Sequence, residues 1–319
     1  MIINQVTFEK ILKKNFLFEQ RPKLAVALSG GADSMSLIFL LNSWIKKNNG
    51  SLIGLIIDHK LRKNSTLEAN TVKKFLLKYK IKSKLFSVEN KDIFKKTMNE
   101  ARRNRFKKLI QFCIKKDIFH LFLGHHFDDN IETFLIRRVA GSNIEGLGSI
   151  KYKFNMNGVQ ILRPLLDFKK KQIMQFVNKN DIPFVEDPSN YDLKYSRVAI
   201  REYLHENAKL KTIVSKELKM IKYYLPYYRK MIYQALHLLV IKISYQSILI
   251  DALSFNKYDL EIKTKIIEII YKFLKPQRQF LRYKKVLISL NDLNNDHKTN
   301  INLAGMRIKR DNFFIHFMI

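Results

Sequence analysis

The sequence predicts an α/β protein: a parallel, doubly wound N-terminal domain followed by a smaller, mainly helical and basic C-terminal domain. Three observations predict it. Short apolar runs alternate with longer segments of helical period from Lys23 to Val139. A length of 319 residues is comfortable for two hydrophobic cores. From about Arg197 the alternation gives way to long Lys- and Tyr-rich helical stretches that run to Lys275.

In order, KLAVAL (23–28) precedes a helical pattern from Met35 to Lys47, and LIGLIID (52–58) precedes one from Thr66 to Tyr79. KLFSV (84–88) is followed by Thr97 to Lys115, and HLFLGHH (120–126) by Asp129 to Val139. Strand–helix repetition of this kind implies a parallel sheet covered on both faces. Past Gly141 the pattern changes to turns and short apolar pieces, ILRPLLDF and IPFVEDPSN. We expect a domain boundary near Lys209 to Thr212, dividing the chain into 1–210 and 211–319. The second part carries 20 Lys and Arg against 8 Asp and Glu. Its last segment, Lys285 to Ile319, reads as short strands with turns at Asn294-Asn295-Asp296 and Ala304-Gly305.

Composition narrows the function. A formal charge of +31 makes a polyanion the leading partner, because each Lys or Arg placed on a phosphate releases counterions. Abundant Lys, Ile, Asn and Phe with scarce Gly and Pro also match an AT-rich coding sequence, so we assign the charge to function and codon usage about equally. The single cysteine, Cys113, rules out a disulfide framework, a Cys-x-x-Cys pair and metal sites built mainly from cysteine. The longest apolar candidate, LHLLVIKISYQSILI from Leu236, is interrupted by Lys242 and falls short of the roughly 18 residues a membrane span needs. The start lacks a secretory pattern, so a cytoplasmic protein with no membrane association is expected.

In parallel sheets ligands sit at the carboxyl ends of the strands, and three of those ends here are rich in polar residues. After the first strand, SGGADS brings Gly30 and Gly31 to a strand-to-helix turn, where adjacent glycines let backbone N–H groups face an anion at the positive helix end. Ser29 and Ser34 add hydroxyl donors. Asp33 adds a negative charge beside that anion, which makes sense if a magnesium ion bridges the two. The turn is therefore read as holding a metal-bound phosphate. It lacks the lysine of a Walker A loop and is not GxGxxG.

After the second strand, DHKLR places Asp58, His59 and Arg62 together. In ARRNRF, Arg102 and Arg105 are three apart, on one helix face that could receive phosphate. GHHFDDNIET is the most specific segment. Asp129 and Glu132 are three apart on a helix that starts at the ligand edge, beside His125, His126 and Asp128, and two carboxylates aimed at one place want a cation.

The SGGADS turn resembles the pyrophosphate loop of the N-type ATP pyrophosphatases. Together with DHKLR, ARRNRF, GHHFDDNIET, RRVAGSNIEGLGSI, RPLL and EDPSNYDLKYSR, in that order, it resembles the tRNA(Ile)-lysidine synthase family over about Leu24 to Arg201. The resemblance implies an adenine nucleotide alpha hydrolase-like fold and an ATP-dependent ligase. It implies adenylation of the C2 oxygen of the wobble cytidine in a CAU anticodon, then attack by free L-lysine with loss of AMP, which changes codon reading from AUG to AUA. By position, Ser29, Gly30, Gly31, Ala32, Asp33, Ser34, Asp58 and His59 would bind ATP, with Asp33 on Mg2+. Asp129 and Glu132 would hold lysine. Asp33, Asp58, His125, Asp129 and Glu132 are the implied catalytic residues. Arg62, Arg102, Arg105, His126, Asp128, Arg163, Glu186, Asp187, Asn190 and Arg197 would line the site. The partners implied are tRNA(Ile) bearing CAU, contacted by the basic C-terminal domain, and L-lysine; a homodimer is compatible with the reading.

Three departures stand out: Lys60 where the family has glycine, Asn130 where it has glutamine, and Val198-Ala199 where Asn-Arg is common. Rival readings are a PP-loop tRNA thiolase of the 2-thiocytidine type and a non-catalytic RNA-binding relative. The first usually needs cysteines, and lone Cys113 falls in an amphipathic helix pattern. Retained Asp33, Asp129 and Glu132 speak against the second.

Overall fold

The computed structural model describes residues 2–58, 65–87, 98–186, 196–276, 281, 283–295 and 300–319, with side chains throughout except those of 98–103, 105, 196, 294 and 295. The chain divides into two compact units, residues 1–136 with 149–212, and 137–148 with 213–319.

The first unit is built on a six-stranded sheet in the order β3-β2-β1-β4-β6-β5. Strands β1 (Lys23–Leu28), β2 (Ser51–Asp58), β3 (Lys82–Ser87), β4 (His120–Phe122) and β6 (Val159–Leu162) run parallel. β5 (Lys153–Met156) is an antiparallel edge strand that hairpins onto β6, which the short apolar pieces after Gly141 did not announce. The crossovers are α2 (Ala32–Lys47), α3 (Ser65–Lys78) and α4 (Met98–Lys115), and α5 (Phe127–Val139) leaves β4. Each expected strand–helix pair is present, with ends displaced by a few residues.

The apolar runs of β1 and β4 are buried on both faces because helices cover both. On one face Leu24, Val26, Ile56, Phe122 and Leu162 pack with Phe8 of α1 (Gln5–Asn15), with Leu37 and Leu41 of α2, and with Ile173 of α7 (Lys170–Lys179). On the other, Ala25, Leu55, Leu121 and Ile161 pack with Leu109, Ile110 and Cys113 of α4. Burial of such aliphatic side chains stabilises each by about 2 kcal/mol. The chain builds outward from β1 to β3 and then returns to place β4 on the other side of β1. The strand order reverses there, so the exits of β1 and β4 bound the crevice in which ligands of such sheets bind.

The second unit contains a five-stranded antiparallel sheet, β7-β8-β11-β10-β9, formed by Val240–Ile243, Ser247–Asp251, Phe314–Met318, Met306–Arg310 and Asn300–Leu303. Helices α9 (Ala208–Leu239), α11 (Leu260–Leu274) and α12 (Tyr283–Asn295) supply Leu239, Ile266, Ile267, Val286 and Leu290 to its core with Ile250, Ile308, Ile315 and Phe317. This sheet joins the helices expected for the basic region. Lys285 to Asn295, expected as strand, is helical, because Val286, Leu290 and Leu293 recur at helical spacing and all three are buried. No helix among the described residues is long and apolar enough to cross a membrane.

Candidate active site

The loop between β1 and α2 is shaped by two glycines with different duties. Gly30 has φ +87°, and a Cβ there would lie 2.5 Å from Val72 Cγ2, so both conformation and space require glycine. Its carbonyl accepts from the Val185 amide at 2.9 Å, which ties the loop down. Gly31 is the N-cap of α2 and supplies no side-chain cap. The first-turn amides of α2 therefore face the crevice at the positive end of the helix, the arrangement that takes phosphate oxygens. Ser34 Oγ donates to the Gly31 carbonyl at 3.0 Å and lies 3.3 Å from Ser29 Oγ, setting both hydroxyls at the same place. Gly124, at the β4 exit, lets that strand close on this turn: a Cβ there would lie 3.0 Å from the Asp33 carbonyl carbon and the Ser34 nitrogen.

Asp33, on the first turn of α2, receives Lys170 Nζ at 2.7 and 2.8 Å on its two oxygens. The buried imidazole of His126 lies within 4 Å of three carboxylates: Nε2 is 3.8 Å from Asp33 and 3.6 Å from Asp129, and Nδ1 is 3.8 Å from Asp128. Asp129 caps the turn by accepting the His126 amide at 2.9 Å, while its own amide donates to His126 Nδ1 at 3.4 Å. That contact leaves Nε2 to carry the proton toward Asp33 and Asp129.

Asp128 accepts the Lys170 amide at 2.7 Å and the Lys211 ammonium at 2.6 Å. Burial pushes its carboxyl up, but these two donors outweigh burial and hold it below the ordinary carboxylate range. Glu132 is 1% exposed and takes Arg201 Nε at 2.8 Å and Nη2 at 3.4 Å. Its carboxyl is raised, by burial first and by neighbouring Asp129, against the pull of Arg201. The Arg201 guanidinium is itself held up by Glu132, Asp129 and Asp33 against its own desolvation. The two shifts differ because burial is one-sided: Glu132 loses all its water, whereas the Arg201 side chain keeps 43% of its exposure.

Among the described residues the structure thus gathers Asp33, Asp128, Asp129 and Glu132 around His126, together with Lys170, Lys211 and Arg201. These carboxylates are gathered closely enough that an incoming ammonium or metal ion would find anionic partners there. Lys170 and Lys211 were missed in the sequence, where they sit in the lysine-rich runs FKKKQI and KLKT with nothing local to single them out.

Two of the expected site residues, Asp58 and His125, have partners of their own. Asp58 is 1% exposed and accepts Ser65 Oγ at 2.8 Å and Thr66 Oγ1 at 2.6 Å, so it fastens the start of α3 to the β2 exit. His125 Nδ1 accepts from Arg163 Nε at 3.2 Å. Arginine keeps its protons, so with Nδ1 accepting from Arg163 a neutral His125 carries its proton on Nε2. Arg163 is buried, bonds the Lys151 carbonyl at 2.9 Å and stacks on Phe154, which makes it a support for His125. Arg197 is half-buried on α8 (Ser196–Glu206), and Glu186 is exposed. His59, Arg62, Asp187 and Asn190, and the side chains of Arg102 and Arg105, lie outside the described residues.

No cluster of three or more His, Cys, Asp or Glu side chains suited to a metal ion occurs among the described residues. Magnesium that bridges nucleotide phosphates needs only one or two carboxylates, and Asp33 beside the loop amides fits that requirement once Lys170 yields its place.

The PP-loop domain family matches residues 3–208. The chain is similar to the tRNA(Ile)-lysidine synthase of Orientia tsutsugamushi, 38% identical over 187 residues that make 59% of this chain and 42% of that one. It is 36% identical over 202 residues to that of Wolbachia pipientis wMel, covering 63% of this chain and 46% of that one. With that of Rickettsia akari it shares 30% identity over 290 residues, 90% of this chain and 67% of the other. The chain thus spans less than half the length of the first two relatives. Its fold is that of a U34-tRNA thiolase from Methanococcus maripaludis that carries a [4Fe-4S] cluster, with a TM-score of 0.56 at 20% identity, covering 69% of this chain and 78% of that one.

Proposed function

This chain belongs to the PP-loop domain family, and on that premise we propose that it is a tRNA(Ile)-lysidine synthase. The reaction is ATP-dependent transfer of AMP to the C2 oxygen of the wobble cytidine in a CAU anticodon, followed by attack of L-lysine on C2. In the first step a bond forms between the cytidine O2 and the α-phosphorus, and pyrophosphate leaves. In the second a C2–N bond forms, the C2–O2 bond breaks, and the oxygen departs with AMP. One observation carries the reading: an uncapped helix start fit for polyphosphate lies beside a cluster of four carboxylates.

The residues divide the work as follows. The amides after Gly31 and the hydroxyls of Ser29 and Ser34 orient the phosphates. Magnesium on Asp33 would add charge neutralisation at the departing pyrophosphate. Lys170, 2.7 Å from Asp33, stands where it can pass from that carboxylate to a phosphate oxygen. Asp129 and Glu132 hold the lysine ammonium, Glu132 exchanging part of its contact with Arg201. The attacking amine must lose a proton; Asp129, which accepts the His126 amide, is the acceptor, since His125 Nδ1 is already engaged by Arg163. Positioning and charge stabilisation supply most of the rate.

Incubation with ATP, labelled lysine and a CAU-bearing tRNA(Ile) transcript tests this. Label on the tRNA with stoichiometric pyrophosphate is expected; pyrophosphate without lysine incorporation would overturn it. The thiolase reading is disfavoured because Cys113 is buried among Leu109, Ile110 and Ile118, with its thiol pushed up to about 12 by desolvation.

A further inference from the structure

Helix α9 buries Val214, Leu218, Leu225, Ile232, Ala235 and Leu239 and turns a different chemistry outward. Lys216, Lys219, Met220, Tyr223, Tyr227 and Lys230 follow one another at spacings of three, one, three, four and three, which places them on a single face opposite the core. The sequence alone would most often make such tyrosines core residues. They are not: Tyr223 is 63%, Tyr224 55% and Tyr227 61% exposed. The Tyr223 ring meets Tyr224 edge-on with centroids 5.1 Å apart and Tyr227 at 5.8 Å, so the rings form a solvent-facing cluster.

The charge around the cluster is of one sign. Glu217 is the only acidic residue of α9, and it is engaged by Arg138. Lys216, Lys219 and Lys230 are exposed and form no ion pair among the described residues. From Lys216 to Lys230 the face runs for about 21 Å at helical rise.

We propose that this face of α9 binds an unpaired RNA segment, with bases stacked on Tyr223 and Tyr227 and phosphates held by Lys216, Lys219 and Lys230. Lone lysines would suit any polyanion and lone tyrosines any apolar partner; their interleaving suits a strand with a charged backbone and flat bases. A second copy of the chain is disfavoured as occupant, since it would bring the same positive face. The inference deepens the lysidine synthase reading, because an RNA substrate is what gives this surface a use, yet it is tested without ATP or lysine.

The test measures binding of the full chain to a labelled 15-nucleotide single-stranded RNA by anisotropy across a salt series, beside a duplex of equal length. Y223A/Y227A is expected to weaken single-strand binding by about tenfold, with Y223F/Y227F retaining it and thermal stability unchanged. K216A/K219A/K230A is expected to flatten the log–log salt slope by about 2. Wild-type affinity in Y223A/Y227A overturns the proposal. So does equal preference for duplex, or a wild-type dimer that these substitutions dissociate. A chain that binds RNA in this way but makes no lysidine would sink the proposed reaction alone.

Discussion

The Lys170 ammonium lies 2.7 and 2.8 Å from the two oxygens of Asp33, joining the first turn of α2 to the start of α7, 137 residues further along the chain. The same residue gives its backbone amide to Asp128 at 2.7 Å, so one position braces the exits of β1 and β4 together. Asp33→Ala is expected to abolish pyrophosphate release. Lys170→Met, which keeps the aliphatic stem, is expected to raise the KM for ATP about tenfold. An unchanged KM for ATP in the Lys170 variant would show that the lysine serves only to pair with Asp33.

Glu132 and Arg201 act as a unit, and the buried member is the acid. Arg201→Met leaves Glu132 uncompensated and is expected to cost about 3 kcal/mol in urea unfolding, the low end for a buried pair because Arg201 is partly exposed. Glu132→Ala is expected to keep part of the pyrophosphate release while raising the KM for lysine. Equal loss of both steps would refute the division of labour.

The pH dependence follows from directions. The folded carboxyl of Glu132 lies above its ordinary 4.5, so the native state holds the proton more tightly there. Stability from this group falls as pH rises from about 4.5 through the raised value. Asp128 lies below its ordinary 3.8, so its contribution is present above that pH and is lost as pH falls through the lowered value. Urea midpoints from pH 3 to 7 should therefore decline less steeply above 4.5 in Glu132→Gln than in the wild-type chain; parallel curves would contradict this.

Gly30→Ala meets two obstacles, a left-handed φ of +87° and contact with Val72. A loss of about 1–2 kcal/mol is expected from conformation alone. Adding Val72→Ala should relieve the clash but not restore ATP use, measured as melting temperature and pyrophosphate release.

Cys113 is buried with a thiol pushed up to about 12, so it should resist thiol reagents until the chain unfolds. Cys113→Ala is expected to lose about 1 kcal/mol of stability and none of the lysidine-forming activity. Loss of activity at full stability would revive a sulfur-transfer role.

Much of this molecule is written in local pattern. Four apolar runs alternate with helical segments, and the polar residues at their ends mark Gly30, Gly31, Asp33, Asp128 and Asp129 as neighbours of one crevice, because a parallel sheet leaves its strand exits on one edge. Asp58 shares that edge, and its contacts with two hydroxyls were not legible in the sequence. Its partners, Ser65 and Thr66, are only seven and eight residues away, yet whether two hydroxyls satisfy a carboxylate depends on how the intervening chain turns. The same holds for Lys285 to Asn295, whose helical period was outweighed by nearby turn signals.

Sequence alone determined the four strand–helix pairs of the first unit, the glycine turn after β1 and the spacing of the carboxylate pair, since backbone conformation and helical spacing act over a few residues. Only the tertiary structure decided which charges meet: Lys170 with Asp33 across 137 positions, Arg201 with Glu132 across 69, and exposed tyrosines on α9 where a core was the commoner outcome. Coulomb attraction and burial depend on distance in space, and that distance is set by the folding of the whole sheet and its helices.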